Sequence, residues 1–253
     1  MRVSLLGTGG IGGTLRDLLA AGRVAGCVTG AAVGSRFPAG AVVAELTGTG
    51  DVVVEAAGGA AVRAYGAQVL AAGRDLVVCS AGALADDAVH AALDAAALAG
   101  GARWTVPPGA IGGLDLLAAA IRADGAAEVT LTTVKTPGAL GVPGAGIVFE
   151  GTAREAALRF PKTANVAVTL GLATTGIDRV RVVVTADPAA RRTRHEITAR
   201  TAVGEYRFAL VNDTLAASGG RTSAITVWSV VRALEELAAR GRTPIPLKKG
   251  APS

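Results

Sequence analysis

Short apolar runs alternate along the chain with stretches of helical periodicity. Residues 2–6 form a strand-like run that stops at Gly7, after which Ile11, Leu15, Leu18 and Leu19 recur on one helix face. Val24 to Val33 is apolar and gives way to a loop at 34–38. Residues 51–57 predict a strand running into Gly58-Gly59, followed by a helix over 60–72. Asp75–Ser80 predicts the next strand, Asp86-Asp87 open a helix that runs through Ala99, and 103–106 predicts a short fifth strand closed by Pro107-Pro108-Gly109. Strands alternating with helices of this length predict a doubly wound parallel sheet with right-handed connections.

Past residue 110 the pattern changes. A helix over Leu114–Ala123 leads into Glu128–Lys135, which alternates polar and apolar positions as a half-buried strand does. A loop rich in glycine and proline covers 136–146, and Ala153–Phe160 and Thr163–Thr175 predict helices. The segments 177–185, 193–202 and 204–212 then predict an antiparallel meander, and Thr222–Arg240 one amphipathic helix.

The turn after the first strand reads Gly7-Thr-Gly9-Gly10-Ile11-Gly12 and opens a helix, the order that a dinucleotide fingerprint requires. Gly7 permits the tight turn, Gly9 lets backbone approach a pyrophosphate, and Gly12 brings the helix close to the sheet. Gly10 and Ile11 start the helix, whose exposed N–H groups suit phosphate. Where an NAD-selective unit places an acid about 20 residues on, the chain has Ser35 and Arg36. A hydroxyl and a guanidinium suit a ribose 2′-phosphate, so NADP(H) is the preferred cofactor and NAD(H) a possible one.

The fold class expected is therefore α/β: an N-terminal Rossmann-type doubly wound parallel sheet, with a second α+β domain carrying a mainly antiparallel sheet. Residues 1–109 with 220–253 would form the dinucleotide-binding domain and its returning C-terminal helix. Residues 110–219 would supply the substrate, catalytic and dimerisation functions.

Composition narrows the picture. Glycine supplies 35 of 253 residues, about twice the usual share near 7%, so a glycine motif carries weight here only through its context. With 51% hydrophobic and 18% charged residues the chain is not of disordered type. The longest uncharged run, Thr163–Ile177, is too short for a membrane span. Cys27 and Cys79 sit in apolar runs without paired spacing, as expected of buried thiols in a reducing cytoplasm. Net charge is +5, with no nucleic-acid motif beside the basic clusters, and suits anionic small molecules. His90 and His195 are far apart and the cysteines isolated, so no metal site is expected.

Seven segments together resemble the L-aspartate dehydrogenase family of NAD(P)-dependent amino acid dehydrogenases. They are Gly82-Ala-Leu-Ala-Asp86, Val106-Pro-Pro-Gly-Ala-Ile-Gly-Gly-Leu-Asp115, Val129-Thr-Leu-Thr-Thr133 with Lys135, Phe149-Glu-Gly-Thr-Ala-Arg-Glu155, Phe160-Pro-Lys-Thr-Ala-Asn-Val166, His195-Glu-Ile197 and Thr222-Ser-Ala224. The resemblance implies a cytoplasmic homodimer that interconverts L-aspartate with iminosuccinate, or oxaloacetate plus ammonia. It implies that His195 is the active-site histidine and that Asn165 and Ala110 contact the cofactor. The chain departs from the family pattern at Pro108, at Val134-Lys135-Thr136 and at Gly219-Gly220-Arg221.

On the residues alone, His195 shares a strand face with Ile197 and Ala199, so it is either a core histidine or a proton-handling group. His90 reads as an exposed helix residue. Asn165 either caps a helix or faces the cofactor. A dianionic substrate needs cations, for which Lys135 and Lys162 are the candidates. Two other functions stand beside aspartate oxidation: a related amino acid dehydrogenase or imine reductase acting on a different acidic substrate, and a dinucleotide-binding regulator without turnover.

Overall fold

Five strands, β1 (Arg2–Leu6), β2 (Val28–Val33), β3 (Val52–Glu55), β4 (Asp75–Val78) and β5 (Trp104–Thr105), pair in parallel in the order β2-β1-β3-β4-β5. The structure is a computed structural model that describes residues 1–34, 39–123, 127–218 and 222–240. Ser35, Arg36 and Gly219-Gly220-Arg221 lie outside the described residues.

The central strands are mostly apolar because both faces of the sheet are covered, with Ser4 and Glu55 as buried polar exceptions. Val52 and Val54 belong to one core with Leu15, Leu19, Val230 and Leu234, while Val53 faces a second with Val42, Leu46, Val62 and Val69. Each fully buried Val or Leu contributes roughly 1.5–3 kcal/mol relative to exposure. The covering helices are Gly10–Ala20, Ala39–Thr49, a helical run over 59–71 and Asp87–Gly100. Asp86 caps the last of these, its carboxylate accepting from the N–H of Ala88 at 3.1 Å. The helix Ile225–Arg240 comes from the far end of the chain and packs on the first sheet beside Gly10–Ala20.

The second sheet holds β6 (Ala127–Lys135), β7 (Gly146–Thr152), β8 (Arg181–Ala186), β9 (Thr193–Thr201) and β10 (Gly204–Asn212) in the order β10-β9-β6-β8-β7. The neighbouring pairs are antiparallel except β6 with β8. This corrects the expected meander. β6 and β9 pair along nearly their full length, and the tight β9–β10 hairpin occupies the outer side of β9. β8 therefore joins the other side of β6, in parallel. Helices Leu114–Arg122, Ala153–Arg159 and Asn165–Ala173 lie over the inner face, where Leu131, Val182, Val184 and Ile197 are buried. The outer face carries exposed Arg194, Arg200, Glu205 and Arg207.

Arg154 ties the two layers together. It pairs with Asp178 and Asp87 and donates to the carbonyl of Ala85, so one guanidinium bridges the second sheet's helices to the start of Asp87–Gly100.

At the first turn, Gly7 has φ +107°. A Cβ on Gly12 would lie 1.9 Å from the Gly7 carbonyl oxygen, whereas a Cβ on Gly9 would meet nothing within 4 Å. Gly12→Ala is therefore expected to lower stability by about 1–3 kcal/mol through overpacking against backbone. Gly9→Ala should leave the melting temperature nearly unchanged. Thermal melts of both variants check this, and an equal fall in the two would contradict it.

Candidate active site

The carboxyl ends of the first sheet's strands face the inner edge of the second sheet, and a cleft opens between them. Ile11, Pro108, Ala110, Lys135, Lys162, Asn165 and His195 all line it, together with Cys79, Thr163, Thr169, Thr222, Ser223 and Thr226. Seven residues singled out by sequence, from both halves of the chain and separated by as many as 184 positions, thus share one cavity. Gly7, Gly9, Gly10 and Gly12 build the turn that delivers Ile11 to its wall. His90 stands elsewhere, edge-on to Trp104 and near Asp94.

The turn fits a pyrophosphate. Gly9 precedes the helix Gly10–Ala20 with no side chain capping its N–H groups, and the space beside it is open.

Glu55 organises the next part of the wall. Only 1% exposed, it ends β3, and Oε1 accepts from the N–H groups of Ala57 (2.7 Å) and Gly58 (2.8 Å) and from the Ser80 hydroxyl (3.0 Å). Oε2 accepts from the Ser80 N–H at 3.0 Å. Burial raises its pKa and these hydrogen bonds oppose the rise. The carboxylate clamps the ends of β3 and β4 together. Beside it, burial and then the charge of Glu55 push the Cys79 thiol well up. Cys79 is half-buried: it packs against the core of the first sheet and also lines the cleft, while Cys27 is buried. Sequence reasoning passed over Glu55, although an acid ending the run Val-Val-Val was a signal.

The loop carrying Ala110 is pinned from two directions. The Gly109 N–H donates to Ser229 Oγ at 3.1 Å, and Asn212 Nδ2 donates to the Ala110 carbonyl at 2.9 Å. Gly109 has φ +68°, a conformation that favours glycine. Asn165 begins its helix without capping it: its Oδ1 accepts from the Gly82 N–H at 2.9 Å, tying this helix to the segment that follows β4. The amide nitrogen of Asn165 is left as a donor. The hydroxyls of Thr163, Thr169, Thr222, Ser223 and Thr226 carried no motif that sequence reasoning could use.

His195 and Lys135 lie on the covered face of the second sheet, at 2% and 5% exposure. Burial, and next the positive charge of Lys135, hold the His195 imidazole down to about 3. Burial lowers the Lys135 ammonium to about 8. At neutral pH the cleft therefore presents a neutral imidazole beside a lysine that remains mostly charged. Lys162 is exposed at the rim.

Because folding favours the neutral form of His195, its contribution to stability is complete above pH 6.5 and is lost as pH falls toward 3. By pH 5 the loss is about 2 kcal/mol. Denaturant unfolding at pH 7 and pH 5 should show this loss in the native chain and not in His195→Asn. An identical pH response in the two proteins would contradict it.

Comparison with known proteins agrees with this architecture. Residues 7–107 match a family model described as the NAD binding domain of homoserine dehydrogenase, and residues 115–237 one described as the C-terminal part of aspartate dehydrogenase. An L-aspartate dehydrogenase from Brucella anthropi is 40% identical over 256 residues, covering 92% of this chain and 95% of its own. L-aspartate dehydrogenase 2 of Bordetella pertussis is 47% identical over 202 residues, 75% of each chain. The crystal structure of aspartate dehydrogenase from Thermotoga maritima superposes with a TM-score of 0.70 at 29% identity, covering 97% of this chain and 98% of that one. The likeness thus spans both sheets and the cleft between them, and the chain belongs to the L-aspartate dehydrogenase family.

Proposed function

We propose that this chain is an NAD(P)-dependent L-aspartate dehydrogenase, interconverting L-aspartate with iminosuccinate, which hydrolyses to oxaloacetate and ammonia. The observation that carries the reading is the cleft itself, where His195, Lys135, Lys162, Asn165 and Ala110 meet beside the glycine turn. Residues 1–109 with 220–253 bind the dinucleotide in this reading. Residues 110–219 supply the substrate side.

Gly7, Gly9, Gly10, Ile11 and Gly12 hold the pyrophosphate, and Ala110 and the Asn165 amide face the nicotinamide end. Ser35 and Arg36 are assigned to a ribose 2′-phosphate, which makes NADP(H) the preferred form and NAD(H) a usable one. The bound dinucleotide supplies the hydride acceptor and donor. The protein supplies the rest. Lys135 and Lys162 pair with the substrate carboxylates and fix Cα. His195 takes a proton from the substrate ammonium, so that the nitrogen lone pair forms the C=N bond as hydride leaves Cα; in the opposite direction it returns that proton. A dicarboxylate beside Lys135 offsets the positive charge that depresses His195 and restores part of its basicity.

A related dehydrogenase with another acidic substrate is the second reading. It is favoured by Pro108 and Lys135, two departures from the family pattern that both line the cleft. The enzyme is further assigned to the cytoplasm as a homodimer. Among the described residues no helix is long and apolar enough to cross a membrane. The outer face of the second sheet carries both members of the Arg200–Glu205 and Arg207–Glu196 ion pairs.

The deciding assay is reductive amination, with ammonia and a panel of 2-oxo acids under NADPH or NADH. Oxaloacetate with NADPH is expected to give the highest kcat/KM, and His195→Asn to lower kcat by about 100-fold or more while dinucleotide binding persists. A clear preference for another acid moves the assignment to the second reading, and a preference for NADH removes the role given to Ser35 and Arg36. Absence of turnover with every acid would leave a dinucleotide-binding regulator. Light scattering should give about twice 24.9 kDa, and a monomer mass would refute the dimer.

A further inference from the structure

His195 has a partner that neither its sequence neighbours nor the family resemblance identifies. β6 and β9 run antiparallel with Thr133 directly opposite His195. Both side chains are buried on the covered face, and Thr133 Oγ1 lies 3.0 Å from His195 Nδ1. That contact engages Nδ1 of a residue that lines the cleft, so Nε2 is the ring nitrogen not held by Thr133.

We propose that Thr133 is the positioning residue for His195, holding Nε2 toward the substrate through the whole proton cycle. This rests on the reading of His195 as the proton-handling group. A hydroxyl both donates and accepts. When Nδ1 is bare, Thr133 donates to it. When Nδ1 carries a proton, in the neutral ring or in the imidazolium formed as Nε2 takes the ammonium proton, the same oxygen accepts. The ring therefore gains and loses a proton at Nε2 without having to turn.

The alternatives would each do something different. A carboxylate at position 133 would hold the proton on Nδ1 and favour imidazolium. Valine would fill the same space and leave the buried Nδ1 without this partner. The backbone register contributes as well, since cross-strand neighbours on one face lie about 4.5–5.5 Å apart at Cβ, close enough for this direct contact.

The test compares Thr133→Val and Thr133→Ser with the native enzyme, alone and combined with His195→Asn. Thr133→Val is expected to lower kcat about 10- to 100-fold with the KM for the dinucleotide unchanged, and Thr133→Ser to recover most of the lost rate. In the His195→Asn background Thr133→Val should change kcat less than twofold, because no imidazole remains to be held. Nitrogen NMR supplies a readout independent of turnover. The chain has two histidines, and the Nδ1 resonance of His195 in the ligand-free protein should move in Thr133→Val and return in Thr133→Ser.

A Thr133→Val enzyme with native kcat, an unmoved Nδ1 resonance, or an equal rate loss with and without His195 each overturns the proposal. Full activity in His195→Asn alone refutes instead the reading on which it rests. Melting temperatures distinguish either result from misfolding, and if Thr133→Val does not fold, Thr133→Ala in the same cycle takes its place.

Discussion

Desolvation of His195 and Lys135 on the covered face of the second sheet is the constraint around which the site is arranged. Two basic groups are held where water cannot pay the full charge of either, and the consequence is a division of labour. The lysine keeps most of its charge at neutral pH and the imidazole loses its own. An anion entering the cleft meets Lys162 at the rim and, deeper, a buried cation beside a neutral imidazole. Had both groups stood on the exposed outer face, solvent would have screened the lysine and left the imidazole near its ordinary value.

Keeping these groups dry and aimed requires the two sheets to stay in register with each other. Arg154 bridges the two layers at one edge, and Asn165 on the second accepts from Gly82 just past β4 of the first. On the other side, Ser229 and Asn212 fix the loop at Ala110 from the C-terminal helix and from β10. Ser229 lies on a helix whose Val230 and Leu234 are buried against the first sheet, so the end of the chain fastens the cleft near its beginning. Hydrogen bonds between such distant segments set direction, and the apolar packing around them supplies most of the stability.

Legibility in the sequence followed the source of stability of each element. β1, the glycine turn and the helix Gly10–Ala20 were readable because their apolar spacing and their turn chemistry agree. The helix Ala39–Thr49 was not assigned from sequence. Gly40, Gly48 and four β-branched residues weaken its intrinsic preference, and burial of Val42 and Leu46 on the first sheet supplies what local propensity does not. β7 escaped for a related reason: it is an edge strand with an irregular register and little of the alternation that marks a half-buried strand. The placement of β8 beside β6 was hidden because strand order depends on long-range pairing, while sequence proximity favours a meander.

By itself, the sequence determined the fold class, the dinucleotide turn, the alternation that turns His195 inward, and the list of residues worth finding in one place. Those features arise from local periodicity and backbone requirements, which a linear pattern records. The tertiary structure decided that Lys135, Asn165 and His195 share a cleft, that Glu55 clamps two strand ends, that Asn165 reaches Gly82 instead of capping its helix, and that Thr133 stands against the imidazole. Each is a contact between segments distant in the chain. Strand register and burial bring them together, and neither is written in the spacing of residues along one segment.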